Sequence, residues 1–129
     1  MILEGQIVKG MGKAKKFITM MNKPFYSKTG IILFPGTLNI KLVKLYNLSI
    51  DYIIKAEEYG GSFNVQIQKC KVLQEDAYIV RSEKNTADKG DYKQDVIEIV
   101  SNVNFRDKYS LKDGDLIKIE ISDKLEFVK

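Results

Sequence analysis

A small, mainly β barrel is the fold class that this chain predicts, on three observations. Apolar residues alternate with period two in many short segments, helical stretches are scarce, and turn signals interrupt the alternation at regular intervals. The 129 residues suffice for one domain, taken as 1–129, with a core that needs no staples. No internal repeat, linker or low-complexity stretch divides the chain.

The elements follow in order. Residues 2–8 read as the first strand and run directly into Gly10-Met11-Gly12. Phe17-Ile18-Thr19-Met20 reads as a resumed strand, which Asn22-Lys23-Pro24 breaks. Residues 22–35 then make a long excursion holding Phe25, Tyr26 and an apolar run up to Pro35. From Thr37 to Val43, Leu38, Ile40 and Leu42 share one face, while Thr37, Asn39 and Lys41 share the other. Residues 48–54 fit a short strand or a helical turn, and Tyr59-Gly60-Gly61-Ser62 is a turn. Residues 63–73 alternate most clearly of all. Gln74-Glu75-Asp76 turns them into a hairpin partner at 77–81. Residues 82–94 are polar and predict a mobile loop. Val96–Val100 is another strand, 102–109 one short helix, and Leu111-Lys112-Asp113-Gly114-Asp115 a turn into the last strand, 116–121.

Composition removes whole classes of chemistry. Histidine is absent, so Ser-His-Asp triads, Cys-His pairs and His-ligated zinc or iron are unavailable. What remains is carboxylates, amides, Lys, Arg and a bound cation, a set suited to phosphoryl transfer. The single cysteine, Cys70, cannot form an internal disulfide and reads as a packing residue. Apolar runs such as residues 30–34 are too short to span a bilayer, and the first residues show no signal-peptide pattern. A cytoplasmic, reducing compartment and no membrane partner are expected. The net charge of +4 comes chiefly from lysine, and Lys9, Lys13, Lys15 and Lys16 surround the glycine pair. These lysines read as a phosphate funnel or as a solvated surface; the glycines between them favour the anion site.

Pro35-Gly36-Thr37-Leu38-Asn39 is the most informative motif. Thr37 and Asn39 leave the same strand face and offer two neutral oxygens, ligands suited to a hard cation such as Mg²⁺ that keeps waters and takes further oxygens from phosphates. Gly10 and Gly12 let backbone N–H groups approach an anion closely. Together they predict a metal–phosphate site. Glu98, between Ile97 and Ile99, faces away from both, either as a solvated rim residue or as a carboxylate at a site. Arg106 could reach a phosphate or pair with surface acids, and Thr86 alone is an ordinary loop residue.

The order of these segments resembles the archaeal-type, CTP-dependent riboflavin kinase family, from about Glu4 to Ile121. The matching pieces are residues 5–12, Phe34 to Leu42, Ile97-Glu98-Ile99, Phe105-Arg106 and Leu111 to Asp115. The resemblance implies a six-stranded cradle-loop barrel with short helical segments, Mg²⁺ as cofactor, and conversion of riboflavin to FMN with CTP becoming CDP. It implies that Gly10, Met11, Gly12, Lys13, Ala14 and Lys15 cradle the nucleotide phosphates and that Val103, Asn104, Phe105 and Arg106 line the nucleotide pocket. Thr37 and Asn39 would bind the metal, and Thr86 and Glu98 the flavin, with Glu98 orienting or deprotonating the terminal hydroxyl. Phe25, Tyr26, Phe34 and Tyr92 are candidate walls for the flavin ring. Ala14 stands where the family usually has a third glycine, and Ala87 and Asp88 follow Thr86 where the family usually includes histidine. The stretch from Thr86 to Glu98 is also longer than usual. A monomer without nucleic-acid affinity is expected. The competing readings are a flavin- or nucleotide-binding barrel without catalysis, and a basic nucleic-acid-binding barrel.

Overall fold

In the computed structural model the chain is described at residues 1–10, 12–83 and 95–121. The strands are β1 (Ile2–Val8), β2 (Leu38–Leu42), β3 (Tyr52–Ile54), β4 (Val65–Val72), β5 (Glu75–Ser82), β6 (Val96–Val100) and β7 (Leu116–Glu120). The helices are α1 (Ala14–Thr29), α2 (Ala56–Tyr59) and α3 (Phe105–Tyr109).

Every pairing is antiparallel, and the strands run in the order β3-β4-β5-β6-β2-β1-β7. A further β4–β7 pairing, through Lys71↔Glu120 and Val72↔Ile119, closes six of them into a barrel. β3 stands outside the ring on the first half of β4, with Tyr52 opposite Ile67. The six-stranded barrel implied by the family resemblance is therefore the observed fold.

Alternation decides which side chains fill the barrel. Ile7, Leu38, Ile40, Leu42, Ile79, Ile97, Ile99, Ile117 and Ile119 are buried together inside it. The outer face of β4, β5 and β6 is covered as well, by α1. Ile18, Met21 and Phe25 of the helix pack on Ile67, Tyr78, Val80 and Val100. This second layer explains why Ala77–Val80 is apolar on both faces.

α1 corrects the expectation of a strand at 17–20 and of a break at Asn22-Lys23-Pro24. Its buried residues fall at 18, 21 and 25, a helical spacing that a strand reading spreads over two faces. Pro24 lies inside the helix and forfeits one backbone hydrogen bond. Complete burial of Ile18, Met21 and Phe25 offsets that loss, at roughly 1.5–3 kcal/mol for each side chain. Asn22 does not break the helix. Its side chain ties α1 to the following segment, accepting from Leu33 N at 3.1 Å and donating to Leu33 O at 3.4 Å.

Other boundaries shift less. The β4–β5 turn is Leu73-Gln74, both at positive φ (51° and 67°), so Glu75 already belongs to β5. Residues 48–54 resolve into a strand at Tyr52–Ile54, and α2 follows it unannounced by the sequence. The helix expected at 102–109 is shorter, with Asn104 capping it by accepting from Asp107 N at 3.3 Å. Most of the polar stretch 82–94 lies outside the described residues.

α3 is clasped to the β4–β5 hairpin. Lys108 Nζ and Tyr109 Oη both donate to Glu75 Oε2, and Tyr109 Oη also reaches Leu73 O at 3.2 Å. The Lys108 and Tyr109 hydrogen bonds hold the Glu75 carboxyl below its ordinary value of 4.5. Such a group stabilises the fold above its unfolded pKa, and that contribution disappears as pH falls through its folded pKa. Glu75→Gln should therefore lower the thermal midpoint at pH 7 yet make little difference near the bottom of the acid range. Parallel melts of both proteins from pH 7 downward check this.

Gly5 sits in β1 between Leu42 of β2 and Ile117 of β7. A Cβ there would lie 2.4 Å from Lys41 O and 2.6 Å from Ile40 Cγ2, closer than side chains pack. Gly5→Ala should destabilise the barrel by about 1–3 kcal/mol, the usual cost of overpacking, read from urea unfolding midpoints. Cys70 is buried, with its thiol pushed up to about 12 by desolvation. It should resist alkylation in the native protein and react on unfolding.

Candidate functional site

β2 and β6 pair with Leu38↔Ile99, Asn39↔Glu98 and Ile40↔Ile97 as partners. Their isoleucines and leucine point into the barrel, so Asn39 and Glu98 both leave by the outer face, directly across from one another. Above them opens a cleft of about 1220 Å³, walled by the glycine loop, the start of α1 and the outer face of the barrel.

Asn39 is 4 % exposed. Its Nδ2 donates to Thr37 Oγ1 at 3.4 Å, so the two side chains lie together on this face. Asn39 Oδ1 is buried and has no hydrogen-bond partner among the described residues. Such an acceptor costs about 1–3 kcal/mol, a cost that a cation at this oxygen would remove. The residues present thus fit a hard cation. No group of three or more Cys, Asp or Glu able to hold a metal occurs among the described residues. A cation here would accordingly draw its remaining oxygens from water and phosphate.

Another wall of the cleft is basic. Lys9, Gly10, Gly12, Lys13, Ala14 and Lys16 line the cleft, and Gly12 has a left-handed φ of 77°. The loop leads directly into α1, whose first turn adds Ala14 and Lys16 to this wall. The helix has no acidic residue in its first turn, and Lys13 provides no side-chain cap bond to it. Lysines beside a helix N-terminus oppose the macrodipole. A bound phosphate would relieve that opposition and accept from the open N–H groups.

Arg106, the second residue of α3, lines the same cleft. Its Nη2 donates to Asp113 Oδ1 at 2.7 Å and lies 3.5 Å from Val8 O. Asp113 belongs to the turn before β7, which is docked on β1 by Gly114 N to Ile7 O at 2.7 Å and Ile7 N to Asp115 O at 2.9 Å. Beside Arg106 lies a second, smaller hollow of about 220 Å³, lined by Phe34, Val103, Asn104 and Phe105 among others. Gly36, Thr37 and Arg106 line both spaces and join them.

The remaining wall of the large cleft is apolar. Phe17 and Met20 of α1, Tyr59 of α2, Val80 and Val96 contribute it. Phe17 and Tyr59 meet edge to face at 6.1 Å, and burial pushes the Tyr59 hydroxyl upward. At its base, Arg81 is 5 % exposed and donates from Nη1 to Tyr46 O at 2.6 Å. Desolvation lowers its pKa.

The structure thus gathers Gly10, Gly12, Lys13, Ala14, Thr37, Asn39, Glu98 and Arg106 around one cleft. Val103, Asn104 and Phe105 border the adjoining hollow, and Lys15 lines neither space. Met11, Thr86 and Tyr92 lie outside the described residues. The ring candidates need correction. Phe25 is fully buried against Tyr78, Tyr26 is exposed away from the cleft, and Phe34 belongs to the smaller hollow. Sequence reasoning missed Phe17, Met20 and Tyr59. The spacing of Phe17 and Met20 becomes informative only once 14–29 is read as a helix.

A family model described as "Domain of unknown function DUF120", short name CTP-dep_RFKase, matches residues 7–121. The chain is 33% identical to "Riboflavin kinase" of Methanosphaera stadtmanae, covering 92% of this chain and 95% of that one. It is 31% identical to "Riboflavin kinase" of Pyrobaculum aerophilum, covering 92% of this chain and 60% of the relative. For "Riboflavin kinase" of Archaeoglobus fulgidus the identity is 27%, over 92% and 54% respectively. The chain therefore spans nearly all of the first relative and little more than half of the other two.

Proposed function

The chain belongs to the CTP-dependent riboflavin kinase family, and from that premise we propose that it phosphorylates the terminal ribityl hydroxyl of riboflavin with CTP as donor. One observation supports the reading most. The register pairing of Asn39 with Glu98 puts an unsatisfied amide oxygen and a carboxylate side by side, in a cleft with an anion-binding wall and an apolar wall.

The roles follow from that division. N–H groups of the glycine loop and the start of α1 bind the donor phosphates, with Lys13 and Arg106 adding charge. The smaller hollow, with Phe34 and Asn104, receives the base and ribose of the nucleotide. Phe17, Met20 and Tyr59 take the flat flavin ring on the apolar side. Thr37 Oγ1 and Asn39 Oδ1 would hold Mg²⁺, which when bound supplies positive charge to the phosphate oxygens. Glu98 orients the ribityl hydroxyl and accepts its proton as the oxygen attacks the terminal phosphorus and the bond to the diphosphate oxygen breaks. Ala14 lines the cleft where the family usually has glycine, and its methyl is accommodated at the first position of α1.

Incubation with riboflavin, Mg²⁺ and each nucleoside triphosphate in turn, followed by separation of FMN, tests the activity. CTP should give FMN and ATP far less; binding of both ligands without turnover would identify an inactive binder instead. Thr37→Ala and Asn39→Ala should each lower turnover at limiting Mg²⁺ by roughly tenfold or more, equivalent to about 1.4 kcal/mol of transition-state stabilisation. Glu98→Gln should reduce kcat steeply while riboflavin affinity changes only a few-fold. A fall in affinity with kcat spared would make Glu98 a binding group.

A further inference from the structure

The turn Leu111-Lys112-Asp113-Gly114-Asp115 connects α3 to β7, and one of its carboxylates, Asp113, reaches the cleft. We propose that Asp113 is a positioning residue that holds the Arg106 guanidinium ready for the donor phosphates. The proposal rests on the nucleotide-binding reading of the cleft.

Arg106 reaches the cleft from a helix of five residues. A long side chain on so short an element has many rotamers, and binding a phosphate with it forfeits that freedom. Two contacts restrain it beforehand, Asp113 Oδ1 at 2.7 Å and Val8 O at 3.5 Å. Both are made by Nη2. Nη1 and Nε are thereby left without a protein partner among the described residues, a donor set suited to phosphate oxygens. Arg106 lines both the large cleft and the smaller hollow, the position that a nucleotide spanning the two would cross.

Asp113 is itself placed rigidly. Lys112 N donates to Asp115 Oδ2 at 2.8 Å and Asp115 N to Lys112 O at 3.0 Å, closing the turn. Gly114 N donates to Ile7 O at 2.7 Å and fastens the turn to β1. The two acids thus divide the work: Asp115 folds the turn, and Asp113 aims the arginine.

Stability does not account for the ion pair. The side chains are 38% and 55% exposed, and pairs this open add little to folding. The effect of losing Asp113 should instead appear at the ligand. The sign of that effect is diagnostic, because a carboxylate beside a phosphate site also repels anions. Preorganisation predicts weaker nucleotide binding without Asp113, whereas simple repulsion predicts tighter binding.

The test uses the full chain, with CDP as the probe in calorimetry and CTP and riboflavin in steady-state assays. Asp113→Asn should raise the CDP Kd and the CTP KM roughly five- to tenfold, with riboflavin KM within about twofold and the thermal midpoint nearly unchanged. Asp113→Glu should recover part of the loss. In an Arg106→Ala background, Asp113→Asn should add nothing, since the group it positions is gone. Asp115→Asn, which loosens the turn without removing the Asp113 carboxylate, should lower the melting temperature and raise the CDP Kd less than Asp113→Asn does. Unchanged or tighter CDP binding by Asp113→Asn overturns the proposal, as does an undiminished effect in the Arg106→Ala background. Failure of the unmodified protein to bind CDP overturns the nucleotide reading itself, a result distinct from either.

Discussion

Pairing between β2 and β6 is the constraint on which both the core and the cleft depend. Leu38, Ile40, Ile97 and Ile99 face inward only in the observed register, and the same register sends Asn39 and Glu98 outward as partners. A slip of one residue would expose the aliphatic set and bury an amide and a carboxylate inside the barrel. Hydrophobic burial thus enforces the geometry of the polar pair. The neighbouring β1–β2 register, with Val8 opposite Asn39, delivers the glycine loop to the same end of the barrel.

The cleft owes its two characters to α1. The helix covers the outer face of β4–β6 with Ile18, Met21 and Phe25, while Phe17 and Met20, on an adjacent stripe, border the cleft. Its N-terminus starts at the glycine loop. One element therefore supplies an apolar wall along its side and exposed N–H groups at its tip. No described helix is long and apolar enough to cross a membrane, in keeping with a helix whose apolar surface is spent on the barrel.

The barrel was legible because its strands alternate, and Thr37, Asn39 and Glu98 were legible as outward-facing for the same reason. The family resemblance added their companions, and the structure brings most of these to one place. α1 was not legible. Pro24 and Asn22 are breakers by local chemistry, and only the tertiary fit of Phe25 and the Asn22–Leu33 bonds outweighs them. The Leu73-Gln74 turn escaped notice because neither residue is a usual left-handed one, so the signal slid to the acidic pair after it. The apolar cleft wall was hidden for a derivative reason: Tyr59 and Met20 are far apart in sequence, and nothing but the packing of α2 near α1 joins them.

Closure of the barrel joins the two ends of the described chain. Ile2 pairs with Glu120, and Ile121 N donates to Met1 O at 2.8 Å. Such long loops are entropically costly to shut, and proteins dominated by remote pairings fold on the slow side of the two-state range. On a ribosome, β1 and β2 can find each other early, but β1 keeps an unpaired edge until β7 has been synthesised. Asp113 and Gly114 emerge just ahead of β7, and Gly114 docks on Ile7 of the waiting strand. Completion of the ring and assembly of the Arg106 corner are consequently the same late event, so a nascent chain has no finished cleft before β7 is in place.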